Sequence, residues 1–122
     1  MRNGVKKDSQ VLLASAARTA TVSTVMTTDC SAGIFVINVT AAIATPSVTF
    51  TIAGVDPASN ATYTILTSAA ITGTGTTVLR VGPDLTAAAN TIAKDYLPQS
   101  LKITATHADT DSITYSLGFI GV

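Results

Sequence analysis

The chain has 122 residues, with seven basic and seven acidic side chains and a formal net charge of zero. Neutralising phosphates requires a clustered surplus of Lys and Arg, so the balance speaks against a nucleic-acid partner. No apolar run approaches the roughly 18 to 20 consecutive residues of a membrane-spanning helix, so no membrane segment is expected.

Residues 1–8, MRNGVKKD, hold three of the seven basic residues (Arg2, Lys6 and Lys7) and little that could be buried. The composition predicts a flexible N-terminal arm, with residues 9–122 forming a single domain. Such an arm can order on a partner surface. The following VLLASAA imitates a signal peptide, but its apolar run is short and is broken by Ser15 and Arg18. Synthesis in the cytoplasm without a leader is the expectation.

From Ser9 onward the dominant period is two, the signature of strands. Residues 10–15 and 18–26 read as one or two strands. GIFVINV, 33–39, is apolar on both faces and predicts a central strand covered on two sides. SVTFTIAGVDPASNATYTILTS, 47–68, predicts a hairpin with Val48, Phe50, Ile52, Tyr63 and Ile65 facing the core, Thr residues facing outward and Asp56 shaping the turn. TTVLRVG, 76–82, is a further strand. TAAANTIAKDYL, 86–97, is Ala-rich but lacks a clean 3.6-residue period; it predicts a long loop with room for one helical turn, stopped at Pro98. LKITATH and SITYSLGFI flank ADTD, a turn of the composition that hairpins favour. The expected fold is an all-β, single-domain antiparallel sandwich or jelly-roll-like barrel of about 7–9 strands, with little or no helix.

Chemistry-bearing residues are sparse. The chain contains no Glu and no Trp, one His and one Cys. Asp109 and Asp111 in HADTDS resemble half a calcium loop, yet the distal bidentate Glu is missing, so a hairpin turn is the reading. His107 lacks the further ligands a zinc site needs. Cys30 reads as a small buried residue, with a disulfide to a neighbouring subunit as the alternative. No GxSxG elbow is present. No catalytic residue, cofactor or metal is expected, and the chain reads as a protein other than an enzyme.

Only 11% of residues are charged, against the usual quarter. Net charge near zero favours association, so a Thr-covered domain of this kind suits an assembly whose neighbours cover its surface. Tyr96 in KDYLP is the one aromatic expected in a loop, either as an interface anchor or as a lid over the core. With Lys94, Asp95 and the arm residues Arg2, Lys6 and Lys7, it forms the expected partner surface.

Three stretches also resemble a known group: VLLASAARTATVST, PSVTFTIAGVDPASNATYTILTSAAITGTGTTVLRVGP and ITATHADTDSITYSLG. Together they are similar to small virion structural proteins of tailed bacteriophages, of the capsid decoration or cement type. The resemblance spans most of residues 11–120 and lies in composition and turns; TTDCSAG around Cys30 falls outside it. It implies a non-enzymatic protein, made in the host bacterial cytoplasm, that binds the outside of a capsid shell as a homo-oligomer. Its implied partners are the major capsid protein or other virion subunits and itself, as a homotrimer or, second, a dimer. A tail, neck or baseplate component is the alternative within that class, and a carbohydrate- or receptor-binding sandwich the alternative outside it.

Overall fold

The computed structural model describes residues 8–122. Nine strands follow in order: β1 (Asp8–Arg18), β2 (Val22–Thr27), β3 (Gly33–Ala42), β4 (Val48–Val55), β5 (Thr62–Thr67), β6 (Gly75–Val81), β7 (Ile92–Ala93), β8 (Ser100–His107) and β9 (Ile113–Gly121). They form two sheets, ordered β1-β9-β3-β6-β7 and β2-β8-β4-β5. All pairings are antiparallel except the short β6–β7 ladder. The fold is thus the expected single-domain β-sandwich, and no helix occurs among the described residues.

Alternation along the strands builds the core. Phe35, Ile37 and Val39 of β3 face Phe50, Ile52 and Val48 of β4 across the gap between the sheets, each at most 3% exposed. Phe35 meets Phe119 at a centroid distance of 5.1 Å, and Phe50 meets Tyr115 edge-on at 5.3 Å. Tilted and edge-on rings of this kind are favoured over face-to-face stacks.

Three expectations need correction. First, Tyr63 is half exposed, at 50%, and Ile65 is only partly buried. The β4–β5 register steps from Ile52↔Leu66 to Ala53↔Thr64, so Ile65 is an extra bulged residue. The bulge changes the phase of β5. Leu66 and Ser68 therefore face inward, while Tyr63 pairs with Gly54 where the sandwich runs out. Ser68 satisfies itself there: its hydroxyl accepts from the Phe50 N–H and donates to the Ala69 carbonyl, both at 2.9 Å.

Second, no helical turn forms in 86–97. Ile92 and Ala93 instead pair with Arg80 and Val81, and Leu97 is buried. Strand pairing and one apolar anchor outweigh the helix preference of the Ala residues, which have no helical stripe to bury. Third, β3 is central in its sheet, but no described element covers its outer face, where Ile34 and Val36 remain half-buried.

Candidate functional site

Among the residues expected at the partner surface, Arg2, Lys6 and Lys7 lie outside the described residues. Lys94, Asp95 and Tyr96 are all exposed on the loop between β7 and β8, Tyr96 at 72%. The loop holds its shape through its backbone. Asp95 donates its N–H to the Gly82 carbonyl (3.2 Å), Leu97 donates to Ser31 (3.1 Å), and the Asp95 carboxylate accepts the Tyr96 N–H (2.8 Å). Leu97 plugs the core while its neighbour Tyr96 projects outward, so Leu97 and not Tyr96 is the lid.

The single imidazole sits at a structural junction. His107 closes β8, and its Nε2 lies 3.0 Å from the Tyr115 hydroxyl. Arg18 covers the Tyr115 ring, its guanidinium carbon 4.6 Å from the centroid. That guanidinium donates to the carbonyls of Tyr115 (2.6 Å), Ala14 (2.6 Å) and Ala16 (3.2 Å). β1 is irregular through this stretch, with register shifts on either side of Leu13. Arg18 thereby ties Ala14, which the register shift leaves out of the pairing, to the paired Ala16 and Tyr115. Cys30 is buried, with its sulfur against Gly121 at the end of β9, whereas His107 meets Tyr115 near the start of that strand.

The acids behave as turn residues. Asp109 accepts the Asp111 N–H at 3.0 Å, and Asp111 accepts the N–H and hydroxyl of Thr45 at 3.1 and 3.2 Å. No group of three or more His, Cys, Asp and Glu side chains gathers in metal-binding geometry among the described residues. No helix there is long and apolar enough to cross a membrane.

Two surfaces stand out that residue-by-residue reading missed. One is the outer face of the five-stranded sheet. The strand registers align Val11, Gly118, Val36 and Val78 in one row across β1, β9, β3 and β6, with Ile120 and Ile34 in the next. Val11 is 80% exposed and Ile120 45%. Gly118 leaves a shallow trough of about 380 Å³ between Val11 and Val36. The outer face of the other sheet is different, with Ser23, Thr104, Thr51 and Thr67 in register across its four strands. The apolar row was readable as GIFVINV, but its neighbours become visible only when the register is known.

The second surface is a groove of about 670 Å³ at the end of the four-stranded sheet, where β2 and β4 finish and β5 and β8 begin. Tyr63, Asp56, Pro57, Asn60, Pro98 and Gln99 line it. The Asp56 carboxylate accepts the Ser59 hydroxyl (2.6 Å) and the Ala58 N–H (3.2 Å), and these bonds hold its carboxyl below the ordinary value. The aromatic signal for this groove was Tyr63, which alternation assigned to the core.

No protein-family model matches the chain, and no curated protein matches it. A structural comparison matches the structure of infectious bursal disease virus Gx strain, with a TM-score of 0.48 and 8% identity over 94% of this chain. The chain spans about a third of that chain's length (32%), and a likeness this distant says nothing of what the present chain does.

Proposed function

We propose that this chain is a non-enzymatic structural protein of a phage virion that binds the outside of the capsid shell as a homo-oligomer and stabilises it. The observation that supports this most is the row Val11–Gly118–Val36–Val78 with Ile120 and Ile34 beside it: an apolar strip, edged by Ser9 and the exposed Arg80, on a sheet face that no described element covers. Contiguous exposed apolar surface of this kind marks protein contacts. The sequence resemblance supplies the virion as the setting.

The mechanism is burial. A rigid sandwich lays this face on a shell subunit, and the Lys94-Asp95-Tyr96 loop adds an exposed aromatic of the type that anchors interfaces. Arg2, Lys6 and Lys7 extend the contact. Each contact can be weak, because simultaneous engagement at many symmetric positions multiplies affinity.

Mass spectrometry of purified virions, followed by cryo-electron microscopy, tests the reading. The chain is expected in particles, as density on the outer shell with the five-stranded sheet turned inward. Absence from particles overturns the reading, and density confined to the tail, neck or baseplate replaces it with that role.

A further inference from the structure

The end groove carries a chemistry that shell attachment does not use. Its wall is the ring of Tyr63, seated over Gly54, where any side chain would collide with the ring. Pro57 and Pro98 form stiff rims without a free N–H. The carboxamides of Asn60 and Gln99 line the space, and neither has a hydrogen-bond partner among the described residues. The Asp56 carboxylate, fixed by Ser59 and Ala58, keeps further lone pairs for a ligand.

These groups are held in place. The turn closes on itself through Asp56 N–H to the Ala61 carbonyl and Asn60 N–H to the Asp56 carbonyl, both 2.8 Å. Asn60 takes the left-handed conformation that the turn requires, at φ 63°. A ligand therefore meets a preformed rim, which lowers the ordering cost of binding.

We propose that this groove binds a neutral saccharide, with the Tyr63 ring against the apolar face of one sugar and Asp56, Asn60 and Gln99 bonding its hydroxyls. A sugar presents C–H groups on one face and hydroxyls around its edge. Its complement is one aromatic face ringed by donors and acceptors. No Lys or Arg among the described residues lines the groove, so an anionic ligand finds no counter-charge among them. A proline-rich peptide needs a groove lined by several aromatics, and among the described residues one aromatic ring lines this groove. Its volume of about 670 Å³ falls within the roughly 300–1,000 Å³ of small-molecule sites. The inference does not depend on the virion reading.

Titrating the isotope-labelled full-length protein with maltotriose, cellotriose and chitotriose, followed through amide chemical shifts, tests it. At least one sugar shifts the amides of Asp56, Asn60, Tyr63 and Gln99 with millimolar or tighter affinity. Tyr63→Ala weakens that affinity about tenfold or more. Gly54→Ala, which displaces the ring without removing it, does the same, and Tyr96→Ala outside the groove does not. The spectral dispersion of each variant reports that it is folded. Silence at the groove amides with all three sugars overturns the proposal, as does unchanged affinity in Tyr63→Ala. Tighter binding of a peptide containing Pro and Lys at the same amides overturns it in favour of a peptide site. Virion localisation is a separate measurement, so failure of either reading leaves the other standing.

Discussion

The Nε2 atom of His107 stands 3.0 Å from the hydroxyl of Tyr115, a ring that is fully buried and joins the two sheets by packing edge-on against Phe50. This one polar contact satisfies the hydroxyl of the largest buried side chain. Burial lowers the His107 pKa; Asp109 pulls the other way, and Arg18 lowers it further. The unfolded chain therefore takes up the proton at a higher pH than the folded one. The contribution to stability is present above about pH 6.5, the ordinary value of histidine, and is lost as pH falls through it. Thermal melts between pH 8 and 5 should show a falling midpoint in the native protein and a flatter profile in His107→Gln.

The same ring sets a second pH limit. Burial raises the Tyr115 pKa, and Arg18 opposes the rise. Above pH 10 the unfolded chain releases a proton that the folded chain keeps, so stability falls as pH rises past that value. Tyr115→Phe should remove this alkaline loss. At neutral pH it should cost about 1 kcal/mol in chemical denaturation, the usual net worth of one hydrogen bond.

Arg18 should not tolerate conservative replacement. Its planar fork reaches three carbonyls and stacks on Tyr115, a combination that a Lys point charge cannot reproduce. Arg18→Lys should lose about 1–3 kcal/mol, read from urea midpoints. A loss as small as that of an ordinary surface substitution would remove Arg18 from the account of how β1 is held.

Most of the architecture was legible because period two is a direct consequence of the pleat. Val48, Phe50 and Ile52 went inward as their alternation required, and Asp109 and Asp111 shaped a turn as their spacing implied. What was not legible depended on register. Ile65 looks like any other apolar strand residue, yet as a bulge it turns Leu66 inward and leaves Tyr63 at the open end over Gly54. Alternation cannot reveal a bulge, because the partner strand decides it. The apolar outer row had the same limit: Val11 and Val78 lie far apart in sequence and join one row only through Gly118 of β9 and Val36 of β3. Ile92 and Leu97 also escaped, since their seats are provided by β6 and the core and not by any local pattern.

The bulge makes a testable distinction between two large residues on either side of it in one strand. Leu66 is 8% exposed and belongs to the core, whereas Tyr63 is half exposed. Leu66→Ala should cost about 2–4 kcal/mol through lost burial and a cavity. Tyr63→Ala should cost about 1 kcal/mol or less, because its site lies at the edge of the core. The reverse order in denaturant midpoints would mean that β5 pairs without the bulge.

Gly118 offers the sharpest separation of folding from attachment. A Cβ there would meet only the Gln10 carbonyl, at 3.9 Å, so the fold has room for a side chain. Glycine inside a strand costs about 0.5–1 kcal/mol in chain entropy, which makes its presence in the apolar row unexplained by folding. Its absent side chain is what leaves the trough between Val11 and Val36 open. Gly118→Val should therefore keep or raise the melting temperature while filling the trough. If this face seats on the shell, the variant should lose particle binding in co-sedimentation with virions stripped of the protein. Val11→Asp should lose it too, by placing a carboxylate in the contact without touching the core. Full binding by both variants would show that the contact lies on another surface, with the Lys94-Asp95-Tyr96 loop next to be substituted.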